Sequence, residues 1–133
     1  MIKISIKTTE LAGCAILVRN SEDKILLLKR SPQSHFAPDL WGFPGGKIEE
    51  GESALEAVVR ETQEETQLRV TNVKSLGGIN NVGAAYFTDE FEGEVEIDFE
   101  HTDWKWVSRA HLANYELAPS VEEIYEKVIE RDY

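Results

Sequence analysis

The stretch Ser53-Ala54-Leu55-Glu56-Ala57-Val58-Val59-Arg60-Glu61-Thr62-Gln63-Glu64-Glu65-Thr66-Gln67-Leu68 reads as one helix with two chemically different faces. Ser53 and Glu56 have capping-box spacing, in which each side chain satisfies a free backbone amide at the helix start. Leu55, Val58, Val59 and Thr62 recur at i, i+3, i+4 and i+7, so one face seeks a core. Glu61, Glu64 and Glu65 fall elsewhere, within an arc of about 100° around the axis. Carboxylates gathered in this way repel one another and weaken an isolated helix by a few tenths of a kcal/mol per pair, roughly. Either solvent screens them or a multivalent cation fills the gap between them. Spacing alone leaves both readings open.

The residues just upstream bear on that choice. Trp41-Gly42-Phe43-Pro44-Gly45-Gly46 ends in a turn that no regular element is expected to contain. Without side chains at Gly45 and Gly46, backbone carbonyls can come close to the carboxylates. Carboxylate and carbonyl oxygens together are the donor set that Mg²⁺ or Mn²⁺ prefers.

Further out, strands are expected at residues 2–7, at 12–18 and at Ile25-Leu26-Leu27-Leu28, with Asn20-Ser21-Glu22-Asp23 as a turn. A loop with Pro32, Phe36 and Pro38 leads to Trp41. Downstream, strands are expected around Val70–Leu76, Ala84–Phe91 and Trp104–Val107. A last helix starts at Ser120, where Ser120 and Glu123 repeat the capping-box spacing, and runs toward Arg131. Strands interleaved with two main helices give an α/β sandwich. The 133 residues show no repeat, low-complexity tract or linker, so residues 1–133 are read as one domain.

Composition removes several function classes. Twenty-five acids against fourteen bases give a net charge of −11. Such a surface repels nucleic-acid phosphates, although divalent ions can still bring a small phosphate anion to it. No apolar run approaches the roughly 20 residues of a membrane span. The single cysteine, Cys14, has no disulfide partner in the chain and reads as a buried, inert thiol in a core strand. A reducing, cytoplasmic setting is the expectation.

Gly46, five residues, Glu52, seven residues, then Arg60-Glu61-Thr62-Gln63-Glu64-Glu65-Thr66-Gln67-Leu68 resembles the Nudix box over 23 residues. Seven of its nine specified positions match: Gly46, Glu52, Arg60, Glu61, Glu64, Glu65 and Leu68. Thr62 stands where an aliphatic is usual, and Gln67 stands where the family has Gly. Outside the box and its Trp41–Gly46 lead-in, only the order of strands and helices agrees.

The resemblance implies a Nudix-type α/β/α sandwich with a mixed sheet, the box helix and a C-terminal helix. It implies hydrolysis of the diphosphate linkage in nucleoside diphosphates joined to some group X, nucleoside triphosphates included, with Mg²⁺ as cofactor and Mn²⁺ as substitute. Glu61, Glu64 and Glu65, with the Gly45 carbonyl, would hold the metal. Arg60 would orient the carboxylates, and Glu52 would support the site or relay a proton. A base in a later loop is the family's other arrangement, and Glu100, just before Trp104-Lys105-Trp106-Val107, is the candidate for it. His101 beside it reads as a surface histidine.

Glu100 also belongs to the alternation Glu90, Glu92, Glu94, Glu96, Asp98, Glu100, which would form one acidic face if extended. Arg30, with Lys29, could meet phosphate at a strand end. Phe36, Trp41, Tyr86 and Trp104 are candidates to stack on a base, against the competing fate of core packing. The expected partner is a small nucleotide-like substrate, with neither nucleic acid nor membrane, for a protein acting as a monomer or homodimer. A catalytically silent module of the same fold is the alternative, disfavoured because every box carboxylate is present.

Overall fold

A computed structural model describes residues 13–80 and 83–133 of the chain. The strand expected at 2–7 lies outside them. The strands are β1 (Gly13–Val18), β2 (Lys24–Arg30), β3 (Trp41–Gly42), β4 (Gly45–Lys47), β5 (Arg69–Thr71), β6 (Lys74–Ile79), β7 (Gly83–Thr88), β8 (Glu90–Glu92) and β9 (His101–Ser108). Helix α1 spans Ala54–Thr66 and α2 spans Val121–Glu130, the latter preceded by a 3-10 segment at Arg109–Asn114.

One sheet runs β4-β1-β7-β6, a second β3-β2-β9, and β5 pairs with β8. β1 and β7 are parallel, and the other pairings are antiparallel, so the first sheet is mixed.

Period-2 alternation in the two central strands sorts the core into two layers. Ala15, Leu17, Ile25 and Leu27 face one way and pack with Ile124 and Val128 of α2. Cys14, Ile16, Val18, Leu26 and Leu28 face the other way and pack with Ala57 and Val58 of α1. Strands buried on both faces read as continuous apolar runs, as β1 and β2 do, and a helix on each face completes the sandwich. Among the described residues no helix is long and apolar enough to cross a membrane.

Several local expectations are met and several are corrected. The Ser53–Glu56 capping box forms in both directions. The buried face of α1 is Ala57, Val58, Thr62, Glu65 and Thr66, whereas Leu55, in the first turn, is 45% exposed. The second capping box does not form. Ser120 has helical backbone angles (φ −92°, ψ −6°), not the extended ones that turn an N-cap hydroxyl toward the first turn, and its side chain caps no amide. Gly45-Gly46 is no free turn but part of β4, antiparallel to β1. A Cβ on Gly45 would sit 2.1 Å from the Cys14 carbonyl oxygen, so only glycine allows that pairing.

The acidic alternation is extended only at Glu90–Glu92. There Arg69 and Asn72 of the β5 side bond Glu92 and Glu90. Gly93 (φ +107°) ends the strand, and Val95 and Ile97 then fold onto the α1-side core.

Candidate metal and active site

The site is the seam where α1 lies against β4. Gly46 brings its Cα so close to Glu61 that a Cβ there would meet the carboxyl carbon at 2.5 Å. The Gly45 amide donates to Glu65 Oε1 at 3.0 Å. The strand edge therefore holds two carboxylates in place, one against each glycine.

The three acids read as one cluster in the sequence differ sharply in depth. Glu65 is 4% exposed, Glu61 half-buried and Glu64 exposed. Burial pushes the Glu65 carboxyl well above the usual carboxylate range. The Gly45 amide opposes that rise, and the charges of Glu61 and Asp98 add to it. Burial raises Glu61 too, with Arg60 pulling it back.

Arg60 is the hub on the solvent side. Its Nε donates to Glu52 Oε2 at 2.7 Å and its Nη2 to Glu52 Oε1 at 3.0 Å, a two-pronged pairing. Nη1 reaches Glu61 Oε2 at 3.3 Å and Glu64 Oε1 at 3.2 Å, and Nη2 also donates to the Lys47 carbonyl at 3.1 Å. The bond from Arg60 holds the Glu52 carboxyl below its ordinary range. Arg60 thus ties Glu52 to the cluster and screens Glu61 from Glu64. No comparable cation reaches Glu65 among the described residues.

Among the described residues, no three His, Cys, Asp or Glu side chains already close on one point as a finished metal cage. The donor chemistry nevertheless fits a hard divalent ion. It is all oxygen, sits on a strand edge whose glycines leave room, and includes a buried carboxyl met by one backbone amide and by no cationic side chain among the described residues. Cys14, beneath the same edge, donates its thiol to the Gly46 carbonyl at 3.5 Å, and burial pushes it up to about 11. It is the inert core thiol expected, not a nucleophile.

Outside α1, the acid whose charge acts on Glu65 is Asp98, which sequence reasoning did not single out. The Glu96 amide donates to the Thr66 carbonyl at 2.9 Å, fastening this segment to the end of α1. Asp98 Oδ1 lies 2.7 Å from His101 Nδ1, and that imidazole is buried, contrary to the surface position expected. The only available signal was the Asp-x-x-His spacing. Glu100 is exposed and lines a different concavity, beside Lys47 and Phe99.

A cleft of about 200 Å³ opens next to the glycine edge, walled by Cys14, Arg30, Phe36, Phe43 and Gly46. Arg30 Nε donates to the Phe36 carbonyl at 2.6 Å, and its guanidinium lies 5.6 Å from the Phe36 ring centre. Trp41 turns away from the cleft. It meets Tyr115 edge-on at 5.1 Å and packs on the α2-side core, so Phe43 rather than Trp41 lines the opening. Tyr86 is half-buried against the α1-side core, and Trp104 is 37% exposed on β9.

Comparison with known proteins agrees with this geometry. The profile of the NUDIX domain family matches residues 9–130. An m7GpppN-mRNA hydrolase of Xenopus laevis is 48% identical over 61 residues, which are 46% of this chain but only 21% of that protein. The CTP pyrophosphohydrolase of Escherichia coli K12 is 34% identical over 113 residues, covering 80% of this chain and 81% of that one. The crystal structure of a MutT protein from Methanosarcina mazei superposes with a TM-score of 0.80 at 26% identity, over 90% of this chain and 93% of the other. Sharing a profile over nearly its whole length, a fold and the box carboxylates set on α1, the chain belongs to the Nudix hydrolase family.

Proposed function

We propose that this Nudix hydrolase, read as one domain acting in the cytoplasm, cleaves the diphosphate linkage of nucleoside diphosphates bearing a further group X. Nucleoside triphosphates fall within that class, and similarity to a CTP pyrophosphohydrolase supports their inclusion. The observation that carries the reading is Glu65. It is a carboxyl sunk into the fold beside Glu61 and met by a backbone amide and other acids rather than by a cationic side chain. A carboxylate buried in this way is costly unless a cation shares the site.

Glu61, Glu64 and Glu65, with the Gly45 carbonyl, would hold Mg²⁺ or, in its place, Mn²⁺. A divalent ion bound there would neutralise the diphosphate and acidify the attacking water. Arg60 keeps Glu61 and Glu64 oriented, and its pairing with Glu52 fixes that carboxylate nearby in its ionised form. Arg30, at the cleft wall, offers charge to the substrate's phosphates, with Phe36 beside it for the base.

In the reaction the water oxygen bonds to one phosphorus and the bridging P–O bond breaks. The bridging oxygen leaves with the other phosphate, and the water's proton passes to a carboxylate. Glu52, Glu61 and the acids of the 98–100 segment are the candidates to take it.

The test is turnover on a broad nucleotide panel. Activity should vanish in excess EDTA and return with Mg²⁺ or Mn²⁺. Unchanged turnover in chelator would sink the metal-dependent mechanism, and no turnover of any substrate would favour a silent binding module.

A further inference from the structure

The free edges of the sheets are not equally protected. β3, β4, β5 and β8 are two or three residues long, which leaves β6 and β9 as the long edge strands. A long bare edge templates pairing with another chain, and proteins blunt such edges with bulges, charges or a covering segment. β6 has two of these protections. Its register shifts between Ser75 and Gly77 (φ +89°), and the Arg131 guanidinium donates to the Ser75 and Leu76 carbonyls at 2.9 and 3.2 Å. β9 runs for eight residues, and Thr102, Asp103, Trp104 and Lys105 are exposed in succession. Among the described residues only β2 pairs with it. We propose that the outer edge of β9 is a homodimer interface, where two copies of the chain pair antiparallel about a two-fold axis at Trp104.

Backbone orientation decides which residues can pair. The Trp104 amide donates to the neighbouring carboxylate, Asp103 Oδ1, at 2.7 Å, so it points away from the ladder with β2. Outward residues alternate in an antiparallel ladder, so Trp104 and Trp106 both present amide and carbonyl to the free edge. Pairing centred on Trp104 lets the two copies exchange both bonds at that residue. Each Trp104 amide then finds the Trp104 carbonyl of the second copy, and the Asp103 carboxylate is released.

Charge selects the register and the occupant. A two-fold pair sets each residue opposite one equally far beyond the axis, so the edge must be complementary to itself. Centring on Asp103 or on Lys105 would oppose like charges. Only centring on Trp104 sets Asp103 opposite Lys105 of the second copy, and symmetry makes that pair twice. Neither residue forms an ion pair within the chain among the described residues. Opposite charges and paired aromatics directly across a ladder both stabilise it, and the two indoles, each 37% exposed in the single chain, meet at the axis. An unrelated strand would have no reason to match this sequence, whereas a second copy matches it by symmetry.

The experiment is sedimentation velocity over a concentration series of wild type, Asp103→Lys and Lys105→Asp. A contact of one strand edge lies at the weak end of specific interfaces, so wild type should dimerise with a dissociation constant between about 1 μM and about 1 mM. Each substitution opposes like charges in its own homodimer and should weaken it by at least about tenfold. Both side chains are exposed, and unchanged melting midpoints show that the variants fold.

Mixing the two variants is the decisive arm. In the mixed dimer the introduced lysine faces the introduced aspartate, and native Lys105 faces native Asp103, so association should return to about the wild-type strength. A general loss of solubility or fold would not be rescued in this way. Wild type that stays monomeric at every concentration overturns the proposal and leaves the edge to the chain's own residues 2–7, whose alternation suits a strand. A dimer unmoved by either substitution, or variants whose mixture does not associate, overturns it as well.

Discussion

Gln67 closes α1 in the left-handed conformation, at φ +67° and ψ 8°, with its amide bonded to the Gln63 carbonyl. That position demands what glycine gives at no steric cost, and a Cβ in this region crowds the backbone by roughly 1 kcal/mol. Gln67→Gly should therefore stabilise the metal-free protein by up to about 1 kcal/mol, after allowing for the unfolded-state entropy that glycine adds. The check is a melting comparison in EDTA, where a higher midpoint is expected and a lower one would contradict the left-handed cap. Activity should be unchanged, since the side chain is exposed and no carboxylate moves. A glycine position in the Nudix box points to such a backbone angle, but the sequence alone left open whether the helix ends at Gln67 or runs through it. The contrast between Glu64 and Glu65 was not legible. Neighbouring letters of one amino acid differ in burial only because β1 and β4 lie under one side of the helix, and no local pattern records where the sheet will be.

At the scale of the element, α1 trades stability for a charged site. Its start is secured by the Ser53–Glu56 box and its inner face by Ala57 and Val58, while Glu65 occupies a position an apolar residue would fill more favourably. The folded state raises the Glu65 pKa above its ordinary 4.5, so the metal-free fold takes up that proton more readily than the unfolded chain. The associated stability is fully present below about 4.5 and is lost as pH rises through the folded value. Glu65→Gln removes this loss. In EDTA the variant should melt above wild type at neutral and mildly alkaline pH, with the gap closing as pH falls toward 4.5. Glu64→Gln, exposed and sharing Arg60 with other acids, should shift the midpoint little. Both variants should lose turnover by at least about a hundredfold, the scale of removing a major charge-stabilising group. Near-normal rates in both would mean the cluster is a solvated face after all. Equal melting behaviour at every pH would show that Glu65 is not carrying the buried charge.

Over the whole molecule, a helix covers each face of the central strands, and the site forms where segments distant in sequence meet at one end of α1. The two-layer arrangement could be read from the apolar runs of β1 and β2, because strands buried on both faces lose their polar alternation. The meeting of segments could not. Asp98 and Glu100 are alternate members of one acidic series, and periodicity assigns them to the same face. The chain breaks that series at Gly93. The Glu96–Thr66 bond then fastens the following residues to the helix end. Asp98 is left acting on Glu65 and held by buried His101, while Glu100 lines the separate concavity beside Lys47 and Phe99. Different kinetic consequences follow for the two acids. Asp98→Asn removes a negative charge from the surroundings of the cluster, so it should raise the Mg²⁺ concentration needed for half-maximal turnover and lower kcat. His101→Gln should produce a weaker form of the same change, because it loosens Asp98 without removing its charge. Glu100→Gln, in the concavity beside Lys47 and Phe99, should instead act mainly on KM, with metal activation unaltered. Metal-activation curves and the split between kcat and KM distinguish these outcomes. A kcat reduced about a hundredfold in Glu100→Gln, with the metal dependence of wild type, is the signature of a lost general base and would move that role to Glu100.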